Sequence, residues 1–482
     1  TLISRSSRAS TDPMLGPEQD APSFVHADWG GSACDIGLYS SRKRHVRESP
    51  ADRSGCQLAF QAVAKPTFKT PKGTRDILPG EADRQRALVN TFGEAARRAG
   101  YGHVMTPMFE DLGVFKRLGE ATDVVTKEMY DFEAKDGKRY ALRPELTASV
   151  VRAFVQHRPL IPWKVWYEGP QFRYERPQAG RYRQFSQVGV EALGTDDPAI
   201  DAEIIALAWD FYATLGLRQV TLMLNSLGDA TCRPAYLDAL TVYFNDNLSL
   251  LSEQSQYTLQ VNPLRVLDSK RPEDQAVIDA APIMVDFLSP ETGEHFAGVR
   301  RVLDRLEIPY DISPRLVRGL DYYTRTTFEF TSTALQGSQN AIGGGGRYDG
   351  LAADLGGPAT PGIGFALGVD RILIACDEEG VFGAPSSLVD VFIIDVTGGD
   401  EAAVIGSQLQ TAGIATDRAY DTRSMRAQFK VADKSGAPIA IVIGEDELAA
   451  GTIQIRTLQG EEREQTSVAR TTLIEELKKR LT

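Results

Sequence analysis

Two alternating runs joined by a basic loop constrain the fold of this 482-residue chain most strongly. The runs extend from Trp163 to Glu175 and from Gln184 to Glu191, and residues 176–183 between them contain three arginines, a proline and a glycine. Alternation with a period of two predicts strands, and a connection of this kind predicts an antiparallel hairpin. A basic tip suits the end of a nucleic acid. The plainer alternative is a solvated, charged hairpin.

Within each strand of this predicted hairpin, several polar side chains lie on the same face. Arg173 and Glu175 share one face of the first strand, and Phe185, Gln187 and Glu191 share one face of the return strand. Burial of a polar group without a partner costs about 1–3 kcal/mol, so packing alone explains these residues poorly. We expect a ligand here, with a phosphate on the arginine, a base against the phenylalanine, and hydrogen bonds from the other side chains.

A second stretch, residues 316–326, carries a guanidinium, a carboxylate and two adjacent phenols within six positions. The arginine is Arg318 and the phenols belong to Tyr322 and Tyr323. This grouping predicts the wall of a pocket for a small polar ligand. The alternative is a strand edge with amphipathic aromatic residues.

Glycines dominate two later segments. Residues 343–346 are four consecutive glycines, without the spacing of a P-loop or of a dinucleotide-binding fingerprint. The run requires close approach of the backbone to another group, or positive φ angles; a flexible loop is the alternative. Residues 360–371 then predict a glycine-rich strand that leads into a helix, and this helix places Arg371 to meet a phosphate.

Glu145 and Thr147 lie near the start of a predicted helix, Leu146 to His157. An acidic side chain in the first turn interacts favourably with the helix dipole, so capping is one explanation for Glu145. The other is that its carboxylate binds the ammonium group of a ligand.

Composition excludes several classes of protein. No apolar run approaches the roughly 18 residues of a membrane span. The net charge of −12 argues against non-specific binding of nucleic acid, although not against a local basic groove. The four cysteines form no CxxC pair or Cys/His cluster, which argues against a zinc site and fits the cytoplasm.

The pattern of predicted helices and strands indicates two folded domains. They follow an N-terminal segment without such a pattern. Residues 1–64 lack apolar periodicity, and we expect either a disordered extension or a non-native leader upstream of a start at Val63. The main domain is expected over 65–380, with a helical insertion at about 229–311. Beyond a Gly/Pro/Ser linker, 388–482 predicts a small α/β domain.

One predicted helix of the C-terminal domain carries basic residues at roughly helical spacing, namely Arg423, Arg426, Lys430 and Lys434. The spacing is compatible with a nucleic-acid contact and equally with a solvated helix face.

These motifs together resemble the class II aminoacyl-tRNA synthetases, and within them the histidyl-tRNA synthetase family. Arg173 with Glu175, and Gly368-Val-Asp-Arg371, match the second and third class II motifs, and Pro107 resembles the first. Leu316-Val-Arg-Gly-Leu-Asp-Tyr-Tyr-Thr and Gly345-Gly-Arg-Tyr-Asp-Gly350 match the two histidine signatures. Lys72-Gly-Thr-Arg-Asp76, Leu142-Arg-Pro-Glu145, Asn225-Ser-Leu-Gly and Cys232-Arg-Pro-Ala-Tyr236 also resemble this family in its bacterial form.

The resemblance implies an α+β fold: an antiparallel catalytic sheet flanked by helices, and a C-terminal α/β domain that binds the anticodon. It implies a homodimer that joins L-histidine to ATP with Mg²⁺, releases pyrophosphate, and transfers the histidyl group to the 3′ end of histidine tRNA. Arg173, Arg318 and Arg371 would be the catalytic cations, while Glu175 and Phe185 would contact adenine.

The resemblance also assigns a histidine pocket and tRNA contacts. The pocket residues it implies are Glu145, Leu146, Thr147, Arg173, Gln187, Glu191, Arg318, Tyr322 and Tyr323. Those implied for tRNA are Arg176, Arg181 and Arg183 of the hairpin tip, with Arg423, Arg426 and Lys430 of the C-terminal domain. A rival is a catalytically silent, synthetase-like regulatory subunit of an ATP phosphoribosyltransferase. Such proteins typically lack the C-terminal domain and several site residues.

Overall fold

The structure is a computed structural model that describes residues 67–117, 127–178, 180–335, 340–384, 387–420, 423–459 and 464–481. The predictions for residues 1–64 lie outside these ranges. Within the described ranges, no helix combines the length and the apolar character needed to cross a lipid bilayer.

The strands, in chain order, are β1 (Gly102–His103), β2 (Phe109–Asp111), β3 (Tyr130–Glu133), β4 (Arg139–Leu142), β5 (Trp163–Phe172), β6 (Gln184–Leu193), β7 (Val220–Ser226), β8 (Asp311–Ile312), β9 (Thr324–Ser332), β10 (Ala341–Arg347), β11 (Gly362–Gly368), β12 (Val391–Asp395), β13 (Thr416–Arg418), β14 (Ile439–Ile443), β15 (Thr452–Thr457) and β16 (Gln465–Ala469).

The helices are α1 (Glu81–Arg98), α2 (Leu112–Lys116), α3 (Thr147–His157), α4 (Pro198–Thr214), α5 (Arg233–Asp246), α6 (Glu253–Val261), α7 (Pro263–Val266), α8 (Pro272–Asp279), α9 (Pro290–Arg305), α10 (Leu351–Asp354), α11 (Val369–Glu379), α12 (Asp400–Thr411), α13 (Met425–Ser435), α14 (Glu445–Ala450) and α15 (Leu473–Leu481). Short 3-10 turns occupy Leu248–Leu250, Met284–Phe287 and Arg470–Thr472.

An eight-stranded sheet organises the main part of the molecule, in the order β1-β5-β6-β11-β10-β9-β7-β8. Its neighbours pair antiparallel, except that β1/β5 and β7/β8 are parallel. The predicted hairpin is β5 and β6, paired from Trp163 opposite Leu193 to Phe172 opposite Gln184. The strand prediction to Glu175 was too long, because the regular ladder ends at Phe172. Beyond it, Arg173 N donates to Arg183 O, and an isolated antiparallel bridge joins Gln178 and Arg181.

Helices cover one face of this sheet. Apolar side chains of α1, α4, α9 and α11 pack against β6, β7, β9 and β11 to form the largest core. Phe92 and Phe211 meet there edge to face, with ring centroids 5.1 Å apart. Burial of these aromatic residues fixes α1 and α4 against the sheet.

The opposite face carries α2, α3, α10 and a small antiparallel sheet in the order β2-β4-β3. The aromatic rings of Tyr322, Tyr323 and Tyr348 belong to this second core. The face is therefore partly apolar and partly lined by phenolic hydroxyls, and it holds the candidate site described below.

Two further regions complete the fold. The segment 229–311, predicted to be mostly helical, contains α5 to α9. Helices α5 to α8 surround a small core of their own, whereas α9 packs in the main core. The C-terminal sheet has the order β13-β12-β14-β15-β16, parallel among its first three strands and antiparallel in the rest. Strands β12 and β14 are buried along their whole length, because helices cover both faces.

Candidate active site

Glu191 lies at the centre of the tyrosine-lined face and is fully buried. Its Oε1 accepts hydrogen bonds from the hydroxyls of Thr147 at 2.7 Å and Tyr167 at 3.1 Å. Its Oε2 accepts a short hydrogen bond from the hydroxyl of Tyr348. Burial raises the pKa of Glu191 to about 8, although the Tyr348 and Thr147 hydroxyls oppose the shift. The carboxyl group is therefore mainly protonated at neutral pH.

Glycines make room for this carboxyl group. A Cβ at Gly364, on β11, would lie 1.7 Å from Glu191 Oε2, and one at Gly189 would lie 2.5 Å from the Tyr167 hydroxyl. Side chains larger than hydrogen at these two positions would displace the pocket. The glycine-rich strand predicted from residues 360–371 is therefore explained by close approach of side chains across the sheet.

Glu145 caps α3 from its N-terminal side. Its carboxylate accepts from the backbone N–H of Thr147 at 2.7 Å and of Ala148 at 2.9 Å. Burial raises the pKa of Glu145, and these N–H groups oppose the shift. Arg173 Nε donates to the carbonyl of the adjacent Pro144 at 2.9 Å. The capping explanation thus describes what Glu145 does in the structure, and its role toward an ammonium group stays a prediction.

Gln187 and Phe185 follow the same face of β6 as Glu191. The Oε1 atom of Gln187 is buried and has no hydrogen-bond partner among the described residues. The Arg173 guanidinium lies over the Phe185 ring, 5.2 Å from its centroid. These positions extend the pocket along the strand from the buried carboxyl group toward the cations.

The stretch 316–323 forms the opposite wall as a turn that leads into β9. Tyr322 and Tyr323 are both buried, with ring centroids 4.6 Å apart. Arg318 Nη1 donates to Glu329 at 2.9 Å, and its guanidinium lies 5.6 Å from the centre of the Tyr323 ring. Burial alone would lower the pKa of Arg318, but Tyr323 and Glu329 raise the pKa above its ordinary value.

The four-glycine run is part of β10 and is not a flexible loop. A Cβ at Gly344 would lie 2.7 Å from Arg318 Nη1, and a Cβ at Gly345 would lie 2.0 Å from the carbonyl oxygen of Gly364. The predicted close approach is therefore confirmed: the run lets the Arg318 guanidinium lie on the sheet surface.

Arg371 lies in the first turn of α11, beside the hairpin tip. Its Nε donates to the carbonyl of Ala341. Burial and the neighbouring Arg181 lower the pKa of Arg371, whereas Glu329 and Glu175 oppose this shift. Cations and carboxylates of α11, the hairpin tip and β9 thus meet at one end of the site.

The remaining predicted residues lie on the hairpin tip, in a small core beside β5, and on the C-terminal domain. Arg176 is exposed on the tip, while Arg181 pairs with Glu175 at 3.4 Å and the Arg183 guanidinium stacks on Tyr174 at 3.7 Å. Leu146 is buried next to β5, in a small core with Val150 and Tyr167. The basic residues of the C-terminal domain, Arg423, Arg426, Lys430 and Lys434, are exposed along α13 and just before it.

Known protein families match almost the whole described chain. The sequence model described as histidyl-tRNA synthetase matches residues 73–372, and one described as an anticodon binding domain matches residues 390–480. This chain belongs to the histidyl-tRNA synthetase family. The histidine–tRNA ligase of Corynebacterium kroppenstedtii is 49% identical over 423 residues, which covers 86% of this chain and 97% of that protein.

Other members of the histidyl-tRNA synthetase family are similar to this chain in sequence and in structure. The histidine–tRNA ligase of Streptomyces coelicolor is 46% identical over 424 residues, covering 86% of this chain and 98% of that protein. The crystal structure of apo S. aureus histidyl-tRNA synthetase superposes with a TM-score of 0.71 at 36% identity, covering 85% of this chain and all of that one. The α+β prediction is thereby confirmed: a large antiparallel-rich sheet flanked by helices, with a C-terminal anticodon-binding domain.

Sequence reasoning missed three residues of this family member's site. Tyr167 and Tyr348 bind Glu191, and Glu329 holds Arg318. Two signals were available for the tyrosines. Tyr348 belongs to the second histidine signature, and the alternation of β5 places Tyr167 on its inward face. Glu329 interrupts the apolar run of β9 and was the available signal for a polar partner.

Proposed function

We propose that this chain is a histidine–tRNA ligase, which activates L-histidine with ATP and transfers the histidyl group to the 3′ end of histidine tRNA. The observation that carries the proposal is the buried carboxyl group of Glu191, which three hydroxyls bind among the described residues, in a chain that matches the family over both of its domains. We assign residues 65–380 to the catalytic domain, with an insertion at about 229–311, and residues 388–482 to the anticodon-binding domain.

In this proposal, both ring nitrogens of the histidine imidazole form hydrogen bonds with the protein. Neutral imidazole has one N–H donor and one acceptor nitrogen. Glu191 accepts the N–H, and the phenol of Tyr323 donates to the other nitrogen, with Tyr322 against it. A ligand without these two groups leaves buried polar atoms unpaired, which penalises apolar analogues strongly.

The α-ammonium group of histidine is assigned to Glu145, Thr147 and Gln187, with Leu146 lining the pocket. Gln187 supports this assignment because its buried Oε1 has no partner among the described residues. An ammonium donor in the site would satisfy this atom. Glu145 can accept a further bond because a carboxylate has about four lone-pair sites, and the two N–H groups of α3 use two of them.

The first reaction step brings together the carboxylate of histidine and the α-phosphate of ATP. Cations must offset the repulsion of these two anions and the charge that develops during phosphoryl chemistry. Arg173 would contact the α-phosphate and the histidine carboxylate, and Arg318 the α-phosphate. Arg371 would contact the γ-phosphate. The Nε atom of Arg318 supports its role, since it is a buried donor without a partner among the described residues.

Adenine and Mg²⁺ complete the proposed nucleotide site. Glu175 and Phe185 would contact adenine. Mg²⁺ usually takes one or two carboxylates and otherwise phosphate oxygens and water. Glu329, which lies at the Arg318 end of the site, provides a carboxylate of this kind, so the residues present fit an ion that arrives with ATP. When bound, the ion would help to neutralise the charge of the phosphates.

Histidine-dependent exchange of pyrophosphate into ATP tests this function. The purified full-length chain should catalyse exchange with L-histidine and not with the other amino acids. A regulatory subunit would bind ligands without exchange, so absence of exchange with histidine contradicts the proposal. An Arg318→Met variant, which loses the donor to phosphate, should reduce the exchange rate.

Two basic surfaces are assigned to tRNA: the hairpin tip with Arg176, Arg181 and Arg183, and the α13 surface with Arg423, Arg426 and Lys430. Neutralising the three residues of the α13 surface to Gln should weaken tRNA binding and flatten its dependence on salt, because fewer counterions are released. Pyrophosphate exchange should not change. Neutralising Lys478, Lys479 and Arg480 of α15 removes the same charge from the same domain and is the matched control.

We also assign a homodimer in the cytoplasm. A cavity of about 580 Å³ is bordered by Val104, Met105, Pro107, Ala153 and Trp163. Exposed apolar side chains lie along the same segments, and Met105 and Leu160 are 82% and 92% exposed. Exposed apolar area of this kind is typical of an interface with another chain. Sedimentation of the purified chain should give a dimer, and Met105→Glu should give a monomer; sedimentation of the parent as a monomer would contradict this assignment.

A further inference from the structure

Arg75 connects three segments around the proposed nucleotide end of the site. Its Nη2 donates to Asp370 Oδ1 at 2.8 Å, and its Nη1 pairs with Glu81 at the start of α1. Its guanidinium also lies over the ring of Tyr182 in the hairpin tip, 4.9 Å from the centroid. Arg75 belongs to the Lys72–Asp76 motif, to which the proposed function assigns no role.

Asp370 precedes Arg371 in the first turn of α11 and is 8% exposed. Its negative charge occupies the helix end that otherwise favours anions. An unneutralised carboxylate there would repel the phosphates assigned to Arg371. It would also carry a large desolvation cost, because a buried charge without a partner is destabilising. The contact with Arg75 removes both effects.

The same N-terminal segment holds the hairpin tip beside Arg371. Arg183 N donates to the carbonyl of Gly73 at 2.7 Å, and a Cβ at Gly73 would lie 2.7 Å from Arg183 Cγ. Farther along the tip, a Cβ at Gly180 would lie 3.3 Å from Arg371 Cγ. Both glycines have positive φ angles of 86° and 69°, so the close approach requires glycine on both sides.

We propose that Arg75 is a positioning residue for ATP: it neutralises Asp370, so that Arg371 and the start of α11 present their full positive charge to the triphosphate. Arg75 acts through Asp370 and does not itself contact the phosphates, because its guanidinium already holds two carboxylates. This inference rests on the proposed function, since it requires ATP to be the ligand of Arg371.

Steady-state pyrophosphate exchange with Arg75→Met tests the inference. The KM for ATP should rise about tenfold, within the range usual for coupling between neighbouring groups, while the KM for histidine stays within about twofold. Adding Asp370→Asn to Arg75→Met removes the uncompensated charge and should restore most of the ATP affinity. A purely structural role for Arg75 would instead raise both KM values together, and the second substitution would then lower both.

Several outcomes would overturn the inference: an unchanged KM for ATP, equal rises in both KM values, or no rescue by Asp370→Asn. If Arg75→Met does not fold, Arg75→Lys keeps one charge near Asp370 and should raise the KM for ATP by less than Arg75→Gln. Equal values for these two variants would count against it. Arg97→Met, at an exposed pair with Glu94 on α1, is the control. Loss of histidine-dependent exchange in the parent chain would instead reject the proposed function.

Discussion

Glu191 and Asp201 are two fully buried carboxyl groups on opposite faces of one sheet, and they are held in different ways. Three hydroxyls bind Glu191, from Thr147, Tyr167 and Tyr348. A guanidinium binds Asp201: Arg347 approaches it through Nε at 2.9 Å and through Nη2 at 2.8 Å. Arg347 and Tyr348 are successive residues, so the end of β10 supplies the partner for each carboxyl group.

The difference in partners sets the difference in charge. Burial raises the pKa of both groups, to about 8 for Glu191 and to about 6 for Asp201, where the attraction of Arg347 limits the rise. At neutral pH Asp201 is ionised within its pair, and Glu191 is mainly protonated. Hydroxyls satisfy Glu191 without fixing its charge, so an N–H donor from a ligand can change that charge. The Arg347 pair has no such freedom, and we interpret it as structural.

Breaking the Arg347–Asp201 pair should give the largest effect. The Arg347 side chain is fully buried, and Arg347→Met removes the guanidinium that neutralises Asp201. The nearby His295, 3.7 Å from Asp201, replaces that charge poorly because burial lowers its pKa to about 4. The free energy of unfolding should fall by about 3–5 kcal/mol, as for other broken buried pairs. Urea denaturation followed by fluorescence measures this change. The exposed Arg97→Met variant should unfold like the parent, and equal stability of Arg347→Met and the parent would show that the pair is not structural.

This comparison also marks the limit of sequence reasoning. Alternation over residues 184–191 is local, so it placed Gln187 and Glu191 on one face correctly. The helix predicted from Leu146 to His157 was likewise confirmed as α3. Arg347 and Asp201 are 146 positions apart in the chain, and the pairing depends on how α4 packs on the sheet. No local pattern encodes that packing.

The strand prediction failed at Arg173 for a related reason. Alternation continues from Trp163 to Glu175, but the ladder ends at Phe172 because the tip turns to meet Gly73 and α11. Tertiary contacts overrode the local pattern there. The identity of the ligand also required the family resemblance, since the residues alone predicted only a polar pocket.

Changing Glu191 should affect ligand binding far more than stability, in contrast to Arg347. Glu191→Gln keeps the shape of the side chain but replaces one acceptor oxygen with a donor. The KM for histidine should rise about a hundredfold, because the imidazole N–H then faces an amide donor and stays buried without a partner. The KM for ATP should stay within twofold. Pyrophosphate exchange at varied histidine and ATP measures both, and similar rises in both would contradict the role of Glu191 in reading imidazole.

The pH dependence of stability gives the smallest effect and separates the two carboxyl groups directly. A carboxyl pKa that is raised by folding contributes stability below its unfolded value, and this contribution is lost as the pH rises through the folded value. For Asp201 the loss is complete near pH 6, whereas for Glu191 it continues to about pH 8. Between pH 6.5 and 8 the unliganded parent should therefore lose about 2 kcal/mol relative to Glu191→Gln. Urea unfolding of both proteins at the two pH values measures this difference. If the difference in free energy of unfolding between the two proteins stays constant over that interval, Glu191 is already ionised in the empty pocket. Glu191 and Asp201 would then differ in their partners but not in their charge.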